Sequence, residues 1–281
     1  MKDILPNFLI VGAAKSGTTS LHNYLNQHPD IFMPSYNKEG MKVKEPRFFI
    51  KKEVEMRLHN GIWDWDEYRS LFNEVKEEKS IGEASVLYLY YYKTAIKNIK
   101  HYLGDNIKII IMLRNPVERA FSAYNHVYRG VNENLSFEQA LESEELRMQK
   151  DSSLTPMIRY KDMGLYYNMV KAYLHAFKDV HIIMYEDFKN NPSSIMKKTT
   201  EFLDVDSGFL INTSSRYNVG GRQWRSILFR NFFMQENNLK IIFRKIFSLK
   251  RRKKIRKYIE LILQKKTPYI NNDTRKKLIT F

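Results

Sequence analysis

Cysteine is absent from the 281-residue chain. Disulfides, cysteine-ligated zinc and thiol catalysis are excluded with it. No run of about 18 apolar residues occurs, so no transmembrane helix is expected. The apolar N-terminus, MKDILPNFLIVGAAKSG, flows directly into a glycine-bearing loop and reads as a first strand, not a signal peptide. Internal repeats and low-complexity linkers are missing as well. With neither a signal peptide nor a transmembrane helix read, a cytoplasmic protein is expected. Acidic residues are outnumbered: 31 Asp+Glu stand against 47 Lys+Arg, a net charge of +16. Such a surface favours anionic partners, whether nucleotide, polyanionic sugar, nucleic acid or membrane. What the chain does have is core-forming material. Hydrophobic residues make up 43 % and aromatic residues 14 %, which excludes a disordered chain. The length suits one large α/β domain or two small ones, and residues 1–281 are read as a single domain.

Short apolar runs alternate with helical periodicity. Residues 7–12 (NFLIVG), 30–34, 80–85 (SIGEAS), 108–113 (KIIIML) and 180–185 (VHIIMY) read as strands or extended pieces. Helices are expected over 18–27, 63–73, 88–102, 117–129, 137–150, 165–177 and 192–203. That alternation predicts an α/β fold with a P-loop-like central parallel sheet and helices on both faces. Ligands of such sheets sit at the carboxyl ends of the strands. Residues 239–266 form a basic amphipathic block, expected as one or two helices. A solvated helical face is the plainer reading of it, and a peripheral contact with an anionic membrane the sharper one. The chain ends at TRKKLITF, in what reads as the middle of a helix, as a truncated C-terminus would.

One further absence concerns a motif. GAAKSGTT, residues 12–19, has the glycine spacing of a nucleoside-triphosphate loop but lacks the lysine directly after the second glycine. Thr18 stands there, Thr19 takes the Ser/Thr position, and the cation, Lys15, has moved into the turn. Backbone amides at the glycines, the start of the following helix and the hydroxyls of Ser16, Thr18 and Thr19 can converge on an anion. A triphosphatase also needs an Mg²⁺-holding Asp at a neighbouring strand end. KIIIML ends instead in Arg114, which repels a metal ion and suits bidentate contact with phosphate. Ser122 follows about two helical turns later. Two phosphate-binding elements at neighbouring strand ends imply a nucleotide phosphorylated on both sides of its ribose, bound with no metal.

FLIVGAAKSGTTSL together with IMLRNPVERAFSAY resembles the sulfotransferases that use 3′-phosphoadenosine 5′-phosphosulfate (PAPS). KEPRFF, GEASVLYL, MGLYYNMVKAYLHAF, IIMYEDF, FLDV and RYNVGGRQWRS extend the likeness in order along nearly the whole chain. The branch it is most similar to is bacterial, related to the Golgi-type carbohydrate and heparan sulfate sulfotransferases. The resemblance implies sulfuryl transfer to a hydroxyl or amine, with a carbohydrate or glycolipid as acceptor and no nucleic acid partner. It gives Lys15 the leaving oxygen and Ser16, Gly17, Thr18, Thr19, Arg114 and Ser122 contacts with the nucleotide. Tyr217, Gly221 and Arg222 of the late loop would close over it. Glu45, in Lys44-Glu45-Pro46-Arg47-Phe48-Phe49, is implied as general base, and Arg47 and Glu83 are candidates for acceptor contact. His28 is a base by type but falls at the far end of the first helix, as a turn residue would. Ala84 and Val86 replace the lysine and proline of heparan-type relatives, which weakens any glycosaminoglycan contact there. The alternatives are a P-loop nucleotide kinase and a non-catalytic protein that binds polyanions or membranes through 239–266.

Overall fold

The computed structural model describes residues 4–280 except 36–39, 41–42, 59, 131–132, 152–153, 216, 218–219, 236–239 and 241–246. The chain divides into two compact units, 1–119 with 162–218, and 120–161 with 219–281.

The first unit is built on a five-stranded sheet. Its strands are β1 (Phe8–Gly12), β2 (Ile31–Phe32), β3 (Ser80–Ala84), β4 (Lys108–Leu113) and β5 (Val180–Met184). They lie in the order β2-β3-β1-β4-β5, and every pairing is parallel. β1 is therefore central, with Phe8 opposite Gly82 on one side and Lys108 on the other. Parallel strands need crossovers. These are supplied by α1 (Thr18–Leu25), α2 (Lys51–Val54), α3 (Trp65–Ser70) and α4 (Tyr92–Leu103), and by α5 (Pro116–Arg129), which carries the chain into the second unit. α6 (Phe137–Glu142) and α7 (Glu144–Lys150) lie there. α8 (Tyr166–Ala176), α9 (Tyr185–Asn190) and α10 (Pro192–Phe202) complete the first unit.

Side chains alternate across a strand. Phe8, Ile10, Ala84, Ile110, Met112 and Ile183 form one core with Leu21, Tyr24 and Leu25 of α1, Phe188 of α9 and Met196 of α10. Leu9, Val11, Ile109 and Ile111 point the other way and are fully buried too. Both faces of the central strands are thus covered, as their unbroken apolar runs require. A second nucleus is aromatic. Phe48 stacks on Tyr68 at 5.0 Å between ring centroids, and Phe49 meets Tyr88 at 5.5 Å and Tyr102 at 6.2 Å.

The second unit is helical. It contains α6, α7, α11 (Ile227–Met234), α12 (Leu249–Leu263), α13 (Asn272–Ile279) and a ribbon in which β6 (Arg222–Trp224) pairs antiparallel with β7 (Gln264–Lys266). Two expectations need correction here. The helix read over 137–150 is broken at Ser143, whose hydroxyl donates to the Gln139 carbonyl at 2.7 Å and so competes with the helix ladder. In the basic block Leu249–Leu263 is helical as expected, but its end, 264–266, is a strand. Residues 239 and 241–246 of that block lie outside the described residues. Arg230 is fully buried. It donates to the carbonyls of Tyr128 at 2.9 Å and Glu133 at 2.6 Å, and its guanidinium lies over the Tyr128 ring at 4.5 Å. A buried cation requires such complete pairing.

Candidate active site

The turn between β1 and α1 is shaped by its glycines. Gly17 sits at φ +91°, where side chains are strained, and a Cβ there would meet the Tyr185 ring at 2.9 Å. Lys15 holds φ +70° without that freedom. Left-handed backbone at a non-glycine residue is a mark of functional sites. Gly17 is also the N-cap residue of α1, and it brings no side chain to cap the helix. The first turn carries no acid either. The positive end of the helix is therefore open to an anion. Ser16 and Thr18 are buried beneath the turn.

Arg114 reaches this loop from the end of β4. Its Nη1 donates to the Lys15 carbonyl at 3.2 Å, and its guanidinium lies 4.7 Å from the centre of the Tyr185 ring. Tyr166 donates its hydroxyl to the Arg114 carbonyl at 3.1 Å. Burial raises the pKa of that phenol despite the nearby Arg119, Ser16 and Arg114. Tyr185 thus touches both Gly17 and Arg114, a role its position after β5 does not announce. The turn that follows Arg114 is fixed by Asn115, whose Oδ1 accepts from the amides of Val117 and Glu118 at the start of α5.

The 44–49 segment is tied to the same loop. Lys44 Nζ donates to Thr19 Oγ1 at 2.9 Å and lies 3.3 Å from Glu45 Oε1. Arg47 Nη2 contacts Glu45 Oε2 at 3.1 Å. The side chain of Glu45 keeps 19 % of its surface exposed. Burial alone would raise its pKa, but Lys44 and Arg47 outweigh that and hold it below the ordinary carboxylate value. Phe48 and Phe49 anchor the segment in the aromatic nucleus. Lys44 is the link that pattern reading did not single out; its place before the acid was the available signal.

Glu83 lies below this segment with no exposed surface. Ser85 Oγ donates to Glu83 Oε2 at 3.0 Å and itself accepts from the Arg47 amide at 2.9 Å. Burial pushes Glu83 up to about 7, against hydrogen bonds from Tyr88 and Ser85. With no surface to offer an acceptor, Glu83 supports the Arg47 backbone through Ser85. His28 is likewise internal. Its Nδ1 accepts from the Asp30 amide at 3.1 Å and its Nε2 pairs with the Asp206 carbonyl at 2.9 Å, a turn-holding arrangement.

The remaining expected residues divide between the units. Tyr217 is in the first, with its amide donating to Ser20 Oγ of α1 at 3.3 Å and its ring edge-on to Tyr24. Ser122, on α5, belongs to the second unit with Gly221 and Arg222. There the Gly221 carbonyl accepts from the Thr267 amide at 2.8 Å, and Arg222 pairs with Lys266 across the ribbon.

A central parallel sheet whose first strand ends in a glycine-hinged, lysine-bearing turn defines the class, a P-loop-like α/β protein. Within that class the profile of the family described as "Sulfotransferase domain" matches residues 5–222, and the chain belongs to that family. It is 38 % identical to the crystal structure of a sulfotransferase from Alicyclobacillus acidocaldarius, with a TM-score of 0.67 over 76 % of this chain and 87 % of that one. Human carbohydrate sulfotransferase 15 is 26 % identical over 72 % of this chain and 44 % of its own length. Human bifunctional heparan sulfate N-deacetylase/N-sulfotransferase 2 is 26 % identical over 72 % of this chain and 22 % of its own. The chain thus spans less than half the length of these curated relatives.

Proposed function

We propose that the protein transfers a sulfuryl group from PAPS to a hydroxyl or amine of a carbohydrate. The observation that carries this reading is the position of the cation: Lys15 stands in the turn itself, ahead of an uncapped helix, with Arg114 bonded to its backbone. The donor set fits the ligand. Hydroxyls, a helix start, an ammonium and a guanidinium all suit phosphate oxygens. Arg114, standing where a triphosphatase would hold Mg²⁺ through an Asp, favours chemistry run by side-chain cations.

In this reading the acceptor oxygen or nitrogen forms its bond to sulfur as the bond from sulfur to the 5′-phosphate oxygen breaks. Lys15 neutralises the charge that grows on the departing oxygen. Glu45 takes the acceptor's proton, with Lys44 and Arg47 fixing its carboxylate. Arg114 holds the 3′-phosphate, with Ser122 as the partner the family resemblance assigns. The carbohydrate class is supported by the relatives' names, carbohydrate sulfotransferase 15 and heparan sulfate N-deacetylase/N-sulfotransferase 2.

The test is transfer of labelled sulfate from PAPS to a panel of oligosaccharides. The wild type should label at least one, and Lys15→Ala should lower turnover by a factor of about 10² or more. Wild-type turnover in Lys15→Ala would refute the assignment.

A further inference from the structure

The second unit holds a cavity that the proposed transfer chemistry does not use. Its volume is about 410 Å³, within the range of sites for small organic ligands. One wall is α5, where Phe121, Asn125 and Tyr128 fall four and three residues apart and share a face. Gln223 of β6, Ile227 of α11 and Tyr269, just before α13, contribute other walls.

Three features define what the cavity would take. The first is charge. In a protein of net charge +16, the lining contains no Lys or Arg and a single acid, Glu138, among the described residues. Arg230 over the Tyr128 ring and Lys266 over the Tyr269 ring stand behind the wall and are engaged with it, so the surface that a ligand would touch offers a carboxylate and favours a neutral ligand. The second is an orphaned acceptor. Asn125 is 8 % exposed, and its Nδ2 donates to the Phe121 carbonyl at 2.8 Å. Its Oδ1 is buried and accepts no hydrogen bond. An unsatisfied buried acceptor is costly, and natural structures rarely leave one without a purpose. The third is aromatic surface. Phe121 and Tyr124 lie nearly parallel, 16° apart, and the exposed ring of Tyr269 adds a third face. Such rings suit a ligand with one apolar face and a hydrogen-bonding edge.

A pyranose ring joins an apolar C–H face to a rim of hydroxyl donors. We propose that this cavity binds a neutral sugar ring, with the Asn125 side chain turning its Oδ1 to accept a ring hydroxyl and the Tyr269 ring covering the C–H face. The choice of a sugar rests on the carbohydrate reading above. The neutrality and the hydroxyl contact rest on the cavity.

The experiment is titration calorimetry with cellobiose and N,N′-diacetylchitobiose as neutral probes and a sulfated chondroitin disaccharide as competitor. Wild type, Asn125→Leu and Tyr269→Ala are compared. Tyr269 is 88 % exposed, so its variant tests the site even if Asn125→Leu fails to fold. The wild type should bind a neutral disaccharide, each folded variant about tenfold more weakly, the loss expected of one buried hydrogen bond or aromatic contact. The sulfated disaccharide should not displace it. The proposal is overturned if neither neutral probe binds, if the variants bind like the wild type, or if the sulfated competitor displaces the probe at a similar concentration. Thermal stabilisation by 3′-phosphoadenosine 5′-phosphate (PAP), measured on the same samples, should be unchanged in the variants. Its absence in the wild type would count against the nucleotide reading and leave the sugar result to stand by itself.

Discussion

Two carboxylates linked through Arg47 and Ser85 are shifted in opposite directions because their surroundings differ. Glu45 is flanked by Lys44 and Arg47 and stays ionised at neutral pH, the state that the proposed base role requires. Glu45→Gln should lower kcat by roughly 10²–10⁴ and leave PAP affinity intact. Single-turnover kinetics beside PAP titration separates the two, and lost PAP affinity would contradict the base assignment. Glu83 has no exposed surface, and burial lifts it to about 7 from the ordinary 4.5. The folded chain then retains a proton that the unfolded chain releases. Stability should fall as pH rises from about 4.5 to about 7 and level off above, a span of roughly 3 kcal/mol. Glu83→Gln should flatten that slope in urea melts at pH 5 and pH 8. An unchanged slope would remove Glu83 as its source.

At the level of elements, the site depends on how three segments end. β1 ends in the Lys15 turn, β4 ends at Arg114, and the 44–49 segment ends in two buried phenylalanines. Phe49→Ala should cost about 3–5 kcal/mol, read from denaturant melts. Because Phe49 anchors the segment that carries Glu45, kcat should drop further than the folded fraction does. A loss of activity that only tracks unfolding would argue against this anchoring. These ends were legible because each has a local cause: glycine spacing, an apolar run stopped by Arg-Asn-Pro, a Phe-Phe pair. The capping box that starts α6, Ser136 with Gln139, is equally local. The break at Ser143 was not legible, because helical periodicity runs on through it. Nor was β7, since a Gln-Lys-Lys strand shows no apolar alternation and exists only through its pairing with 222–224. Tyr185 acquires its place from Gly17 and Arg114, residues far away in sequence, which no spacing rule records.

For the molecule as a whole, the parallel sheet and the family followed from the sequence, while the division into two units did not, because no linker marks it. That division separates the residues expected around the nucleotide: Lys15, Arg114 and Tyr217 on one side, Ser122, Gly221 and Arg222 on the other. The neutral cavity of the second unit stands out against a surface of net charge +16, and composition alone pointed only to anionic partners. The central claim is that the displaced lysine makes a site for a nucleotide carrying phosphates on both sides of its ribose, without magnesium. Thermal unfolding with PAP in chelator, set against ATP with Mg²⁺, tests it most directly. A shift of several degrees with PAP, lost in Arg114→Ala and absent with ATP and Mg²⁺, is the predicted result. Stabilisation by ATP that requires Mg²⁺, with none by PAP, would contradict it.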